Sequence, residues 1–401
     1  MSADVRILGL RARAGGAAAI AAMGYAAVPF GADAQESPLN WSLSYQSDVV
    51  AASGDGVNRH GRWLDSLHAT LDFDAANWIR GGAFHIDLNN TAGAAPNDDA
   101  ATLQGVDNIE VGGQRLRVYE LWYEQSGFDG HAALRAGLQE VNADFYATDA
   151  SGLLMNPSFG LGPEFSSTGS NGPSTYPSTS LAVRGRVVVG PSVDLRLAVF
   201  NARASSLGDP GGVNLDYPEG AITIGEVTWN GWGSLSLGAW RYTRRRDDIR
   251  EVDGLGAPLR RHAQGFYGLA QARLWGGEND VRSAVAFVRA GFSEGRTTPF
   301  RSSWQSGVLL EHVFAGRPDS VLSAGIASAA LSSGFRANLE ELGARTSTRE
   351  TIFELAYSDR MSPWVSIQPD IQFVSNAGGD RDREAFIAGI RISVDFSSDP
   401  N

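Results

Sequence analysis

The stretch Phe386–Phe396 carries its apolar residues on one parity. Phe386, Ala388, Ile390, Ile392, Val394 and Phe396 alternate with Ile387, Gly389, Arg391, Ser393 and Asp395. Successive strand side chains point to opposite faces, so this strand has one apolar face and one bearing Arg391 and Asp395. The apolar face is either the core of a soluble sandwich or a surface turned to lipid, with the charged face lining a water-filled lumen. The start of the chain bears on the choice. Arg6, Arg11 and Arg13 precede a small, apolar run from Gly15 to Phe30, and Ala32-Asp33-Ala34 has the small-x-small form of a cleavage site. Residues 1–34 therefore read as a secretory signal and residues 35–401 as a single domain. The apolar run is shorter than the ~20 residues a membrane helix needs. An exported chain without a membrane helix leaves a periplasmic protein or an outer-membrane barrel.

Composition narrows the function classes. The chain has 0 Cys, so disulfides do not hold it, and a net charge of -12 argues against nucleic acid or an anionic membrane surface as a partner. Every one of the 33 basic residues is Arg, a side chain suited to planar, multi-donor contact with hydroxyl-rich ligands.

Turn signals sort by length along the chain. Short ones lie near Asn77, Asp129-Gly130, Gly190-Pro191, Asn230-Gly231, Gly276-Gly277, Arg317-Pro318 and Ser362-Pro363. Between them sit longer polar stretches: Gln46–Gly61, Asn89–Gln114, Glu140–Thr179, Asn201–Gly220, Thr243–Ala263, Gly291–Arg301, Ala330–Arg349 and Ser375–Arg383. Seven short turns and eight long loops predict an all-β, 16-stranded antiparallel transmembrane β-barrel with short periplasmic turns and long extracellular loops. Individual strands agree: Leu134, Ala136 and Leu138 oppose Arg135 and Gly137, while Leu195, Leu197 and Val199 oppose Arg196 and Ala198. Thr223–Trp229 and Ala263–Leu274 alternate poorly and leave their faces unassigned. Trp41, Trp63, Trp78, Phe128, Trp232, Trp275 and Trp364 sit next to turns, as an interfacial aromatic girdle would.

Three blocks then point to a family. Tyr119–Gln125 (YELWYEQ), Asn156–Gly160 (NPSFG) and Ser366–Gly379 (SIQPDIQFVSNAGG) stand within longer strings, with GGAFHIDL from Gly81. Together these closely resemble the carbohydrate-selective porin family (OprB-type) of Gram-negative outer membranes over nearly all of residues 35–401. The resemblance implies a 16-stranded barrel for passive, saccharide-preferring diffusion. One departure is visible: the terminal aromatic expected for barrel assembly is Phe396, followed by a further Ser397–Asn401.

A sugar channel needs hydroxyl donors and acceptors, an aromatic platform and no contact strong enough to trap the solute. Strand Tyr119–Gln125 offers Glu120, Trp122 and Glu124 on one parity, with Tyr119, Leu121 and Tyr123 predicted to face lipid. Neighbouring strands offer inward His85, Arg135, Arg184, Arg186 and Arg196. Glu140–Thr179 is the candidate constriction loop, with Asn142, Asp144 and Asn156 as candidate sugar contacts. The expected solutes are mono- or disaccharides, glucose among them; the other expected partners are outer-membrane lipid and the barrel-assembly machinery, with monomer and homotrimer both open. The alternatives are a non-selective porin and a barrel enzyme such as a lipase. The six His show no G-x-S-x-G context or metal-ligand spacing, so neither cofactor nor metal is expected.

Overall fold

The structure, a computed structural model, describes residues 38–54, 60–276 and 282–398. The leader expected at residues 1–34 lies outside them. The first eight strands are β1 (Leu39–Ser53), β2 (Gly61–Asp74), β3 (Gly82–Gly93), β4 (Arg115–Gly127), β5 (Ala132–Gln139), β6 (Ser180–Val189), β7 (Val193–Asn201) and β8 (Ala221–Asn230). The second eight are β9 (Gly233–Val252), β10 (Pro258–Trp275), β11 (Ser283–Ser293), β12 (Phe300–Glu311), β13 (Val321–Leu331), β14 (Arg349–Ser362), β15 (Val365–Ser375) and β16 (Glu384–Ser397). Each pairs antiparallel with its sequence neighbours, and β1 closes on β16. Closure leaves no strand edge, which hydrocarbon demands because nothing there hydrogen-bonds a free backbone group.

The closing seam carries the alternation of the last strand. Arg391 pairs in register with Asp48 on β1. Its Nη2 lies 2.6 Å from the Asp48 carboxylate and donates to Asn108 Oδ1 at 2.7 Å. Ile390 and Ile392 on the opposite parity are exposed on the outer wall.

Two loops fold back into the lumen and build a core there. Val106 and Ile109 of the β3–β4 loop pack with Leu154, Met155 and Phe159 of the β5–β6 loop against Val50, Ile352 and Ile387 of the wall. Val141, Phe145, Leu161 and Phe165 pack against Ile222 and Ile224 on β8, Trp240 on β9 and Tyr267 on β10. Burying each such side chain contributes about 1.5–3 kcal/mol. This explains why β8 and β10 alternate poorly. Their inner residues Ile222, Ile224, Tyr267 and Leu269 meet an apolar loop rather than water, so apolar residues stand on both faces.

Two predicted loops are shorter than expected. The first begins after Ser53 instead of Gln46. Thr243–Ala263 is mostly strand: β9 and β10 stay paired out to Asp247↔Arg260 and Val252↔Pro258. The hairpin continues beyond the membrane because cross-strand ions replace apolar contacts. Arg261 Nη2 reaches Glu251 at 2.6 Å, and Arg250 Nη2 reaches Glu341 at 2.6 Å on a helix, Ser333–Glu341, of the β13–β14 loop.

Candidate functional site

The site is built on β4, which does not alternate regularly. Leu88 pairs with Val118 and Asp87 with Glu120, so Tyr119 is an extra residue with no partner opposite. A bulge of this kind lets two successive side chains face the same way. Tyr119 therefore points inward, 1% exposed and edge-on to His68 at 5.6 Å, which corrects the expectation that it faces lipid. From Glu120 onward the predicted parity resumes.

Trp122 is flanked in register by His85 on β3 and Gly137 on β5. A Cβ on Gly137 would lie 2.1 Å from the Leu121 carbonyl oxygen, so only glycine fits that approach. The indole stacks on His85 with centroids 4.8 Å apart, and the Arg135 guanidinium lies 3.9 Å from the indole centroid. With 6% of its surface exposed, Trp122 offers no open face to a solute. The expected sugar platform is instead a packed spacer between a histidine and an arginine. His85 Nδ1 is 2.7 Å from Asp72 Oδ1, and its Nε2 is 3.7 Å from Glu120.

The four arginines do line one strip of the inner wall, and the β5–β6 loop closes onto it. Arg135 Nε donates to Glu124 at 2.9 Å, and Arg184 Nη2 reaches the same carboxylate at 3.1 Å. Asp144, from the loop, accepts from Arg135 Nη1 at 3.2 Å and Arg184 Nε at 3.1 Å, while its carbonyl accepts from Arg196 Nη1 at 2.7 Å. Arg186 pairs with Asp194 at 2.6 Å, and Arg196 lies 3.3 Å from Asp194 and 3.6 Å from Glu226. Burial would raise the Asp144 carboxyl, but Arg135, Arg184 and Arg196 together hold it below its ordinary value. Four guanidiniums thus face four carboxylates, and the strip is a charge-compensated ladder rather than a positive row. Water still reaches it: Arg186 is 34% exposed, Arg196 25% and Glu124 20%.

The loop is also anchored at its root. Glu120 accepts from Glu140 N at 2.7 Å, and Thr175 Oγ1 donates to Glu140 at 3.0 Å. Burial, followed by the neighbouring Glu120, pushes the Glu140 carboxyl from 4.5 to about 7. Asn142 remains partly accessible, its amide donating to Phe145 O at 3.2 Å.

Asn156 is not at the lumen surface. It is fully buried, donates to Gly105 O at 2.8 Å and Gln372 Oε1 at 3.1 Å, and accepts from Ser158 N at 3.0 Å. The amide nitrogen joins the two inserted loops to each other and to β15, and the amide oxygen caps the turn at Pro157–Phe159 of its own loop, which corrects its candidacy as a sugar contact.

Two wall carboxylates escaped the sequence reading. Asp194 shares the parity of Arg196 and was legible; Glu226 lies on the poorly alternating β8 and was not. Among the described residues no group of three or more His, Asp or Glu side chains is arranged to hold a metal. Asp99, in the acidic run of the β3–β4 loop, is held by Arg62 Nη2 at 2.7 Å.

Comparison with known proteins follows this geometry. Residues 60–396 match the family described as carbohydrate-selective porin, OprB family. Porin B of Pseudomonas aeruginosa is 21% identical, covering 90% of this chain and 88% of its own. The high-pH structure of Pseudomonas putida OprB superposes with a TM-score of 0.79 at 20% identity, covering 90% of this chain and 94% of that one. An anion-selective porin from Comamonas acidovorans superposes with a TM-score of 0.54 at 12% identity, over 90% and 100% of the two chains. The match spans the barrel from the second strand to the last, and the chain belongs to the OprB family of carbohydrate-selective porins.

Proposed function

We propose that the protein passes small neutral saccharides, glucose among them, by passive diffusion along the strip formed by Glu124, Arg135, Arg186 and Arg196 and the loop segment Asn142–Asp144. The observation that carries this reading is Asp144. It draws the loop onto three arginines and leaves a wall dense in donors and acceptors with its charges compensated. Such a wall engages hydroxyls from both sides without the net field that would concentrate one ion. Contacts must be weak for release, so the affinity is millimolar, about -4 kcal/mol. The anion preference that an unpaired arginine row would give is not part of this reading.

The buried face of Trp122 favours a second reading, a porin with little sugar preference, since the strip has no open aromatic platform. Single-channel recording with graded glucose, maltose and gluconate separates the two. Saturable block by glucose but not by gluconate supports the saccharide path. Equal, unsaturable passage of all three supports the general pore. The same proposal has residues 1–34 removed on export to the outer membrane and the barrel inserted by the assembly machinery, as monomer or homotrimer; mass measurement of the native protein tests both points.

A further inference from the structure

The outer wall across β7–β11 is indented. Its outward residues are small at Gly225 and Ala239, and larger at Leu197 and Phe266, which border a groove of ≈ 630 Å³ on the lipid-facing side. A second indentation of ≈ 420 Å³, lined by Val227 and Leu237, continues from the same Gly225 and Ala239. The two together run along the apolar band, and the upper one ends at Arg241.

The extracellular end of the groove is basic. Ala239 pairs with Phe266, Arg241 with Gln264 and Arg245 with His262, so both arginines stand on the outer face above the groove. Both are exposed, and neither guanidinium has an ion-pair or hydrogen-bond partner among the described residues. That sets them apart from the paired arginines higher on the same hairpin, Arg250 and Arg260. Glu294 also lines the groove, but its carboxylate is turned to its own loop, accepting from Thr297 Oγ1 and from Arg296 N. Arg241 lies eight residues beyond Gly233 at the periplasmic turn. Since a tilted strand crosses a bilayer in about 9–11 residues, Arg241 falls at the outer boundary of the hydrocarbon.

From this juxtaposition we infer that the β7–β11 wall is a binding site for a phosphorylated, multiply acylated glycolipid of the outer leaflet. Arg241 and Arg245 hold its phosphate and an acyl chain lies in the groove over Gly225 and Ala239. Guanidinium is a planar, multi-donor partner for phosphate, and a phosphate at this height also removes the disadvantage of two unpaired charges beside lipid. The inference rests on the barrel standing in an outer membrane and is independent of which solute crosses the lumen.

The test uses the full-length barrel in detergent, with native mass spectrometry against diphosphorylated lipid A, its dephosphorylated form and inorganic phosphate. Wild-type protein should retain the diphosphorylated lipid and not the dephosphorylated one. An arginine near an anionic lipid surface contributes about fivefold, so R241Q/R245Q should weaken retention roughly twenty-fivefold. G225L places a side chain in the groove, its Cβ at ordinary contact distance, 3.6 Å, from Leu197. It should weaken lipid retention with both arginines present. Equal retention by R241Q/R245Q, equal retention of the dephosphorylated lipid, or binding of inorganic phosphate alone would each overturn the site. Glucose block of the ion current, recorded on the same preparations, should be unchanged in all variants. That readout keeps failure of the lipid site distinct from failure of the sugar path.

Discussion

Arg184 holds Asp144 through two parallel hydrogen bonds, Nε to Oδ2 at 3.1 Å and Nη2 to Oδ1 at 3.2 Å. One partner is on a wall strand and the other on the inserted loop, so this pair ties the loop to β6 beside the arginine strip.

Asp144→Ala should open and recharge the strip together. Arg135, Arg184 and Arg196 would face only Glu124, Asp194 and Glu226, adding one net positive charge and freeing the loop at its contact with β6. Single-channel conductance should rise and the reversal potential in a salt gradient should move toward anions. The shift should fade at high salt, as screening over a Debye length of ~10 Å or less requires. An unchanged reversal potential would place the constriction away from Asp144.

Glu140 makes the loop root sensitive to pH. Its folded carboxyl is raised from 4.5 to about 7, so the native state holds its proton more tightly than the unfolded chain. The resulting stability is fully present below 4.5 and lost as pH rises through about 7. Asp144, held below its ordinary value, stays ionised across that window. Protease access to the β5–β6 loop should therefore increase from about pH 5 to about pH 8. Glu140→Gln, which keeps the neutral form, should flatten the profile.

Adjacent residues on β7 should differ sharply in tolerance. Leu195 is 41% exposed on the outer wall, and Leu195→Arg should cost about 2–4 kcal/mol if it lies near mid-membrane. Arg196 is inward and a quarter exposed, and Asp194 keeps Arg186 when it is lost. Arg196→Ala should therefore cost about 1 kcal/mol or less. Urea unfolding followed by tryptophan fluorescence orders the two, and the reverse order would mean the faces are exchanged.

The strand number, the parity of β5–β7 and β16, and the importance of the long loop were all legible because each is a local pattern. Alternation reports the faces, and turn residues report the ends. What was hidden depends on partners distant in sequence. Nothing local marks Tyr119 as a bulge residue; it follows from the register of β3. The dense Arg run from Arg244 to Arg246 reads as loop, yet it is strand: Arg244 donates to Pro218 O and Arg246 pairs with Glu219 of the β7–β8 loop, while Asp247 and Glu251 beyond the run pair with Arg260 and Arg261 on β10. Poor alternation in β8 was itself a signal, of an inner face covered by Phe145 and Phe165 rather than by water. Trp122 had the right parity, but its burial depends on His85 and Arg135 from the strands on either side.

Asn156 separates structural from solute-binding roles within the family-like loop. Asn156→Ala removes the acceptor for Ser158 N and the donor to Gly105 O and Gln372 Oε1, all in a fully buried setting. Loss of the cap costs about 0.5–2 kcal/mol, and each stranded buried partner about 1–3 kcal/mol. The Glu354 carboxylate continues to accept from Asn156 N, because that bond is to backbone. The loop should therefore stay inserted but loosen against the β3–β4 loop, giving a noisier and larger conductance. The half-saturating glucose concentration should change less than twofold, about 0.4 kcal/mol or below, because the amide touches no lumenal water. A large change in that concentration with quiet, unaltered conductance would assign Asn156 a direct contact with the sugar, against its burial.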